Sequence, residues 1–314
     1  MSTIQKRKLI FVTGPTASGK TQLSIALAQA LNARIFNCDS IQVYRELNIG
    51  SAKPSPLERQ GVEHRLFDLL SAPEVMTAGR YRDFFLQEVN SLQDNRPIIV
   101  AGGTGFYFKA IEKGMFSVGA TPALIKEQVL REWEKQGGKV DVFWAEICQR
   151  DPEHAKKLHR NDNYRILRAI EILRTSSDKN ITQLLEEKNN QESEFDIYKI
   201  YLQTDVSLLE NRIRSRTHEM IRKGIVDEVR GLLDIGLEGW APLDSVGYCE
   251  AKACLLGELP FSQLEESILI STRQLAKKQR TWFQREKNHQ VLTFDQLSEV
   301  SPLQAQLARF LEDG

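Results

Sequence analysis

The stretch Leu9-Ile10-Phe11-Val12-Thr13-Gly14-Pro15-Thr16-Ala17-Ser18-Gly19-Lys20-Thr21 decides the fold. Its last eight residues fill every fixed position of the phosphate-loop pattern G-x-x-x-x-G-K-[ST]. The apolar run Leu9 to Val12 reads as a buried strand entering the loop. Leu23, Ile25, Ala26, Leu27, Ala30 and Leu31 follow at helical spacing. Strand, glycine loop and helix in that order give the pattern a mechanism. Loop N–H groups and the positive end of the helix converge on one spot, which attracts a phosphate or diphosphate. Gly14, Pro15, Thr16, Ala17, Ser18, Gly19, Lys20 and Thr21 are therefore candidate diphosphate-binding residues. Lys20 would reach the outer phosphate oxygens, and the Thr21 hydroxyl would hold Mg²⁺. The plain alternative is a glycine-rich turn that binds nothing, and the strand and helix on either side argue against it.

Working outward, Arg34 to Asn37 reads as a second strand, followed directly by Asp39-Ser40-Ile41-Gln42-Val43-Tyr44. Ala78 to Leu92 reads as a helix, with Tyr81, Phe84, Phe85, Val89 and Leu92 on its apolar side. Pro97 to Ala101 is fully apolar, the mark of a central strand in a parallel sheet, and runs into Gly102-Gly103-Thr104-Gly105. Alternating strands and helices imply an α/β fold of the P-loop NTPase-like kind, a parallel sheet flanked by helices. Ligands bind at the carboxyl edge of such a sheet, so Thr16, Asp39 and Thr104 should lie near one another. From about Thr121 to Glu194 helical periodicity dominates, with polar breaks at 176–180 and 186–194. Ile197 to Leu202 returns as a strand, Asp205 caps a helix after it, and the remainder reads as mostly helical. The expected organisation is a catalytic core over 1–121 and 196–314, with a helical insertion domain over 122–195.

Lys plus Arg equals Asp plus Glu at 42 each, so net charge points to no partner. The four cysteines form no C-x-x-C pair, which disfavours a structural zinc site, and so few suit a reducing compartment. The basic start and the short apolar run after it lack a signal-peptide core, and no stretch approaches a membrane span. The expectation is a cytoplasmic protein with no membrane association. Nothing in the sequence suggests an obligate protein partner, and a monomer is expected.

A phosphate loop admits kinases, switches and other transferases. Many such enzymes place an Mg²⁺-binding Asp at the end of an apolar strand, but the strand ending at Ala101 runs into two glycines. Asp39 is the nearest acid. By position it serves equally as a base toward an incoming nucleophile or as the N-cap of a short following helix. Phe106, Tyr107 and Phe108 are candidates for an apolar slot or a stacking surface, though at least two of the three read as core.

Several blocks in fixed order then carry a resemblance along nearly the whole chain. They are Gly14 to Thr21, Cys38-Asp39-Ser40 with Gln42-Val43-Tyr44, Ile49-Gly50-Ser51-Ala52-Lys53-Pro54, His64-Arg65-Leu66, Gly102-Gly103-Thr104 with Tyr107-Phe108, Ser245-Val246-Gly247-Tyr248, and Thr272 to Gln279 with Thr281-Trp282. With these the chain resembles the tRNA dimethylallyltransferases, the tRNA isopentenyl transferase family. The resemblance implies transfer of a dimethylallyl group from dimethylallyl diphosphate to N6 of the adenosine 3′ of the anticodon, position 37, with Mg²⁺ and without ATP hydrolysis. It implies Asp39, Thr16 and Arg216 as catalytic residues. Asp39 would take the amine proton, Thr16 would contact the departing oxygen and Arg216 the diphosphate. It implies Asp39, Ser40, Ile41, Gln42, Thr104, Lys126, Arg165 and Arg168 as contacts of the tRNA anticodon stem-loop. On spacing alone, Arg212 and Arg216 share a helix face while Arg214 points away, and Arg216 reads equally as a solvated surface residue. Where the family often carries a proline-rich turn, this chain reads Phe116 to Thr121. It shows no zinc-finger extension, which implies the bacterial or organellar type.

Two basic segments stand out, His154 to Arg174 and Arg273 to Lys287, the second interrupted by Trp282 and Phe283. Each suits a phosphate backbone, and each is also what a solvated helix face looks like. With Arg165 and Arg168, the insertion would be an RNA-gripping module. The rival readings are an enzyme that prenylates free adenine nucleotides, which would need no such grip, a small-molecule kinase using ATP, and a non-catalytic RNA-binding protein.

Overall fold

The computed structural model describes residues 6–114, 121–176, 178–189, 193–286, 288–293 and 300–312. The chain divides into two compact units. Met1–Glu112 and Glu194–Gly314 form one, and Lys113–Ser193 the other. The change in periodicity along the sequence places a helical insertion over 122–195. Of the unusual stretch Phe116 to Thr121, all but Thr121 lies outside the described residues.

The larger unit is built on six strands, β1 (Arg7–Thr13), β2 (Arg34–Asn37), β3 (His64–Arg65), β4 (Ile98–Ala101), β5 (Phe195–Gln203) and β6 (His289–Thr293). They form one sheet in the order β3-β2-β4-β1-β5-β6, and every pairing is parallel. Its helices are α1 (Lys20–Leu31), α2 (Ala78–Ser91) and α3 (Gly105–Lys113). The smaller unit then holds α4 (Ala123–Lys135), α5 (Asp141–Arg150), α6 (Pro152–Ala155), α7 (Asn163–Thr175) and α8 (Ile181–Asn189). Back in the sheet unit come α9 (Val206–Arg222), α10 (Ile225–Asp234), α11 (Tyr248–Leu255), α12 (Leu264–Gln284) and α13 (Val300–Glu312).

Both faces of the central strands are covered, and the sequence shows why. Successive strand residues point to opposite faces, so an unbroken apolar run fills two cores at once. Leu9 and Phe11 join Phe36, Val100, Tyr81 and Phe85 on one face. Ile10 and Val12 join Ile35, Ile99, Leu23, Leu27 and Leu303 on the other. Each such side chain, fully removed from water, contributes about 1.5–3 kcal/mol relative to exposure. Tyr107 stacks on Tyr81 with ring centroids 4.0 Å apart, and Phe108 packs on Phe11 and Phe283. Both belong to the core, whereas Phe106 is exposed and leans on Trp282. Two strands have weak sequence signals. β3 is two residues long, and β6 lies in a region whose composition reads as helical.

The smaller unit has a core of its own, drawn from Val129, Phe143, Ile147, Ile166, Ile170 and Leu173. α8 continues through residues 186–189, which read as a polar break; Ile181 is buried in the same core, and packing at this end outweighs local polarity.

Candidate active site

The carboxyl ends of β1, β4 and β2 are neighbours in the sheet, so the loops after them meet. Backbone bonds lace them together. Gly102 N–H donates to the Val12 carbonyl at 3.3 Å, Cys38 N–H to Ala101 at 2.8 Å, and Thr104 N–H to Cys38 at 3.2 Å. A Cβ on Gly102 would stand 2.0 Å from the Cys38 carbonyl oxygen, so only glycine lets β4 leave the sheet this close to β2. Ser40 N–H donates to Thr104 Oγ1 at 2.9 Å. The turn carrying Asp39 is thereby fixed to the glycine run after β4.

The phosphate loop leaves β1 at Gly14 and enters α1 at Gly19, which caps the helix in the left-handed region at φ 98°. Ala17 also holds a left-handed φ of 61°, a strained conformation for a residue with a side chain and one that clusters at functional sites. The Ser18 hydroxyl is buried in the loop without a hydrogen-bond partner among the described residues. Lys20 Nζ donates to the loop's own Pro15 carbonyl at 2.6 Å. Crowding by protein pushes the Lys20 ammonium down to about 7; the Asp39 carboxylate opposes that shift and Arg216 adds to it.

The two carboxylate oxygens of Asp39 differ in their surroundings. Its Oδ1 accepts N–H bonds from Ile41 at 2.9 Å and Gln42 at 3.3 Å, which caps a turn rather than a helix. Its Oδ2 accepts no hydrogen bond from the described residues. The capping and the chemical readings of Asp39 are compatible because they use different oxygens.

α9 begins at the Asp205 cap, whose Oδ1 accepts from Ser207 and Leu208 N–H. It delivers two arginines to the same place. Arg212 Nη1 donates to the Ser18 carbonyl at 3.4 Å, and Arg216 Nη1 donates to Thr16 Oγ1 at 3.3 Å. Arg214 is exposed on the other side. Burial holds the Arg216 guanidinium below its ordinary value, with Asp39 pulling the other way. Arg216 is thus no solvated surface residue, and no carboxylate among the described residues pairs with it.

α12 supplies a residue with no distinct sequence signal. Gln279 Oε1 accepts the Thr16 N–H at 2.7 Å, and its Nε2 donates to the Gly103 carbonyl at 3.0 Å. One carboxamide thus ties the phosphate loop to the glycine run. The Gln279 position lies in a sequence block that carries the resemblance, but a glutamine between lysines and arginines gives no other sign.

Thr16 to Thr21, Asp39, Gln42, Arg212, Arg216 and Gln279 line one cleft of about 450 Å³, a volume suited to a small ligand, while Gly14, Pro15, Ser40 and Thr104 stand behind its wall. Asp39 is the one acid among the described residues on its wall. Lys20, Arg212 and Arg216 supply positive charge, and Ala17, Ile41, Ala101, Val246 and Leu275 supply apolar surface. None of Phe106, Tyr107 and Phe108 lines it. A small void beside Phe11, Phe108 and Trp282 measures about 20 Å³, room for about one water and no substrate. The described residues hold no cluster of three His, Cys, Asp or Glu side chains. Thr21 lines the cleft, and a Mg²⁺ ion here would draw on its hydroxyl together with oxygens brought by a ligand.

The remaining sequence candidates lie in the smaller unit. Lys126 is exposed on α4. On α7, Arg165 pairs with Asp162 at 2.9 Å and is well exposed, while Arg168 bonds Glu171 and the Thr121 hydroxyl, each at 2.6 Å. Much of the charge in the first basic segment is already matched. Lys156 pairs with Glu153, and Arg174 pairs with Glu132 and Glu146, acids that precede the segment in sequence. The second segment differs. Lys277, Lys278, Arg280 and Arg285 on and just after α12 have no ion-pair partner among the described residues, and Lys277, Lys278, Trp282 and Arg285 line a shallow groove.

A parallel sheet flanked by helices, with a phosphate-loop sequence between its first strand and first helix, defines a P-loop-like fold, and its cleft gathers two arginines and, among the described residues, one carboxylate. The chain belongs to the IPP transferase family, whose model matches residues 42–286. It is 46% identical over 312 residues to the tRNA dimethylallyltransferase of Bdellovibrio bacteriovorus, covering 98% of this chain and 99% of that protein. Among solved structures, it is similar to the full-length tRNA isopentenylpyrophosphate transferase of Bacillus halodurans, with a TM-score of 0.72 and 27% identity over 98% of each chain. A eukaryotic dimethylallyltransferase captured acting on tRNA matches with a TM-score of 0.75 and 25% identity, over 96% of this chain and 77% of that one. No helix among the described residues is long and apolar enough to cross a membrane.

Proposed function

We propose that this protein transfers a dimethylallyl group from dimethylallyl diphosphate to N6 of adenosine 37, next to the anticodon, in tRNA. One observation carries the reading. Asp39 presents an uncommitted carboxylate oxygen in the same cleft as the phosphate loop, Lys20 and Arg216. A kinase would want that acid at the end of β4 for its metal, and β4 ends at Ala101 and runs into two glycines.

In this reaction the C1–O bond of the substrate breaks and its electron pair leaves with the diphosphate. The N6 lone pair closes on C1, and the N6 proton passes to Asp39 Oδ2. Lys20, Arg216, the Thr16 hydroxyl and the N–H groups at the start of α1 would stabilise the charge that grows on the departing oxygens. Mg²⁺ at Thr21 would neutralise diphosphate charge. The apolar wall of Ile41, Val246 and Leu275 suits the five-carbon tail.

An adenine stacked in an anticodon loop must be splayed out before its amine can be reached. Lys126, Arg165 and Arg168 of the helical insertion, and the unpaired basic face of α12, are suited to hold the RNA backbone. Asp39 to Gln42 and Thr104 would meet the extruded base. Such work belongs in the cytoplasm. Incubation of unmodified tRNA with the protein, Mg²⁺ and dimethylallyl diphosphate, followed by mass spectrometry of the nucleosides, should yield N6-dimethylallyladenosine. Product from free AMP instead, or turnover of ATP, would refute the reading.

A further inference from the structure

The loop Asn48 to Ala52 approaches the cleft with backbone rather than side chains. The Ser51 carbonyl accepts Arg216 Nη2 at 3.2 Å and Gln42 Nε2 at 3.0 Å. On its other side, four successive N–H groups of this loop are captured by two side chains. Glu228 of α10 accepts from Asn48 at 3.1 Å, from Ile49 at 2.9 and 3.1 Å, and from Gly50 at 3.3 Å. The Tyr248 hydroxyl, at the start of α11, accepts from Ser51 N–H at 3.2 Å and donates to Glu228 at 2.7 Å. Tyr248 is wholly buried, and a Cβ on residue 50 would stand 2.5 Å from its ring. Glycine at 50 is therefore what lets the ring press against the loop. Arg216 in turn rests on two points, the Ser51 carbonyl and the Thr16 hydroxyl.

We infer that Glu228 and Tyr248 are positioning residues for Arg216. They fix the Ser51 peptide with its carbonyl facing the cleft, and that carbonyl sets the direction in which the guanidinium meets the anion. A carboxylate pinning three N–H groups makes a stiff support, because bonds to a charged acceptor are stronger than neutral ones. A preset guanidinium loses little freedom when the anion arrives. The inference rests on the reading of the cleft as a diphosphate site.

The test is a double-mutant cycle read on two scales. Glu228→Gln and Tyr248→Phe are made alone and in an Arg216→Ala background. Binding of inorganic diphosphate with Mg²⁺ is measured by calorimetry, and transfer to tRNA by kcat and KM. Thermal melts select the variants that fold, and Tyr248→Phe, which keeps the ring, is the milder of the two. Each change alone should weaken diphosphate binding about tenfold, the equivalent of roughly one charge-assisted hydrogen bond. Each should lower kcat while leaving KM for tRNA unchanged. In the Arg216→Ala background the same changes should cost less than about twofold, because the residue they act through is gone. Equal losses in both backgrounds, or full diphosphate affinity in a folded variant, overturn the inference. If the wild-type protein binds diphosphate yet transfers nothing to tRNA, the functional reading fails, and the binding cycle still judges the positioning.

Discussion

Asp39→Asn and Asp39→Ala separate the two jobs that one carboxylate performs. Asparagine keeps an oxygen for the Ile41 and Gln42 N–H groups but cannot take a proton. Alanine loses both functions. Positioned general bases contribute about 10²–10⁴ in rate, or roughly 3–5 kcal/mol. A cap of this kind contributes about 1 kcal/mol to stability. Asp39→Asn should therefore lower single-turnover transfer at least about a hundredfold with an almost unchanged melting temperature. Asp39→Ala should lose as much activity and melt about 2 °C earlier as well. The assay uses labelled dimethylallyl diphosphate at saturation, because removing Asp39 also withdraws the charge that favours the Lys20 ammonium. Binding of tRNA, measured separately by filter retention, should persist in both variants. An Asp39→Asn enzyme within about threefold of wild type would refute the base assignment and leave Asp39 as a cap only.

The Lys20 ammonium, pushed to about 7 from an ordinary 10.5, should impose a falling limb on kcat/KM for dimethylallyl diphosphate above neutrality. The fall should approach about tenfold per pH unit and flatten in Lys20→Arg, and a profile flat to pH 9 in wild type would exclude it. The same group makes stability rise with pH between about 7 and 10.5, since there the unfolded chain binds the extra proton. Arg165→Ala with Arg168→Ala should reduce the slope of log affinity for tRNA against log salt by roughly 0.8 for each phosphate no longer neutralised, and an unaltered slope in the folded variant would place the RNA elsewhere. Gln279→Leu removes both bonds of the carboxamide and strands the Gly103 carbonyl and Thr16 N–H; it should raise KM for the diphosphate substrate more than KM for tRNA, and the reverse order would count against its role as a tie between loops.

The phosphate loop was legible because its chemistry is local: eight consecutive residues, with a strand and a helix to orient them. β1 and β4 were legible for the same reason, each being an apolar run with no polar face to disguise it. Arg216 was ambiguous because helical spacing says which residues share a face but not what that face meets. Gln279 and the Glu228–Tyr248 pair were invisible in roles set entirely by partners some 20 to 260 positions away along the chain. Counting charge along His154 to Arg174 overstated its free basicity, since Glu132 and Glu146 reach Arg174 from elsewhere in the helical unit. β6 escaped detection because His289-Gln290-Val291-Leu292-Thr293 neither alternates cleanly nor forms an apolar run, and its pairing with β5 is what holds it extended.

The pairing of β1 with β5 also bears on how the protein is made. Arg7 sits opposite Phe195, and the whole helical unit is encoded between them. A nascent chain that has emerged only through β4 owns a half-sheet whose β1 edge, Leu9 to Val12, has no neighbour on one side. Unprotected apolar edges recruit other chains. The ribosome must deliver the insertion before that border closes, so premature stops inside residues 113–193 should yield aggregates rather than a smaller soluble enzyme.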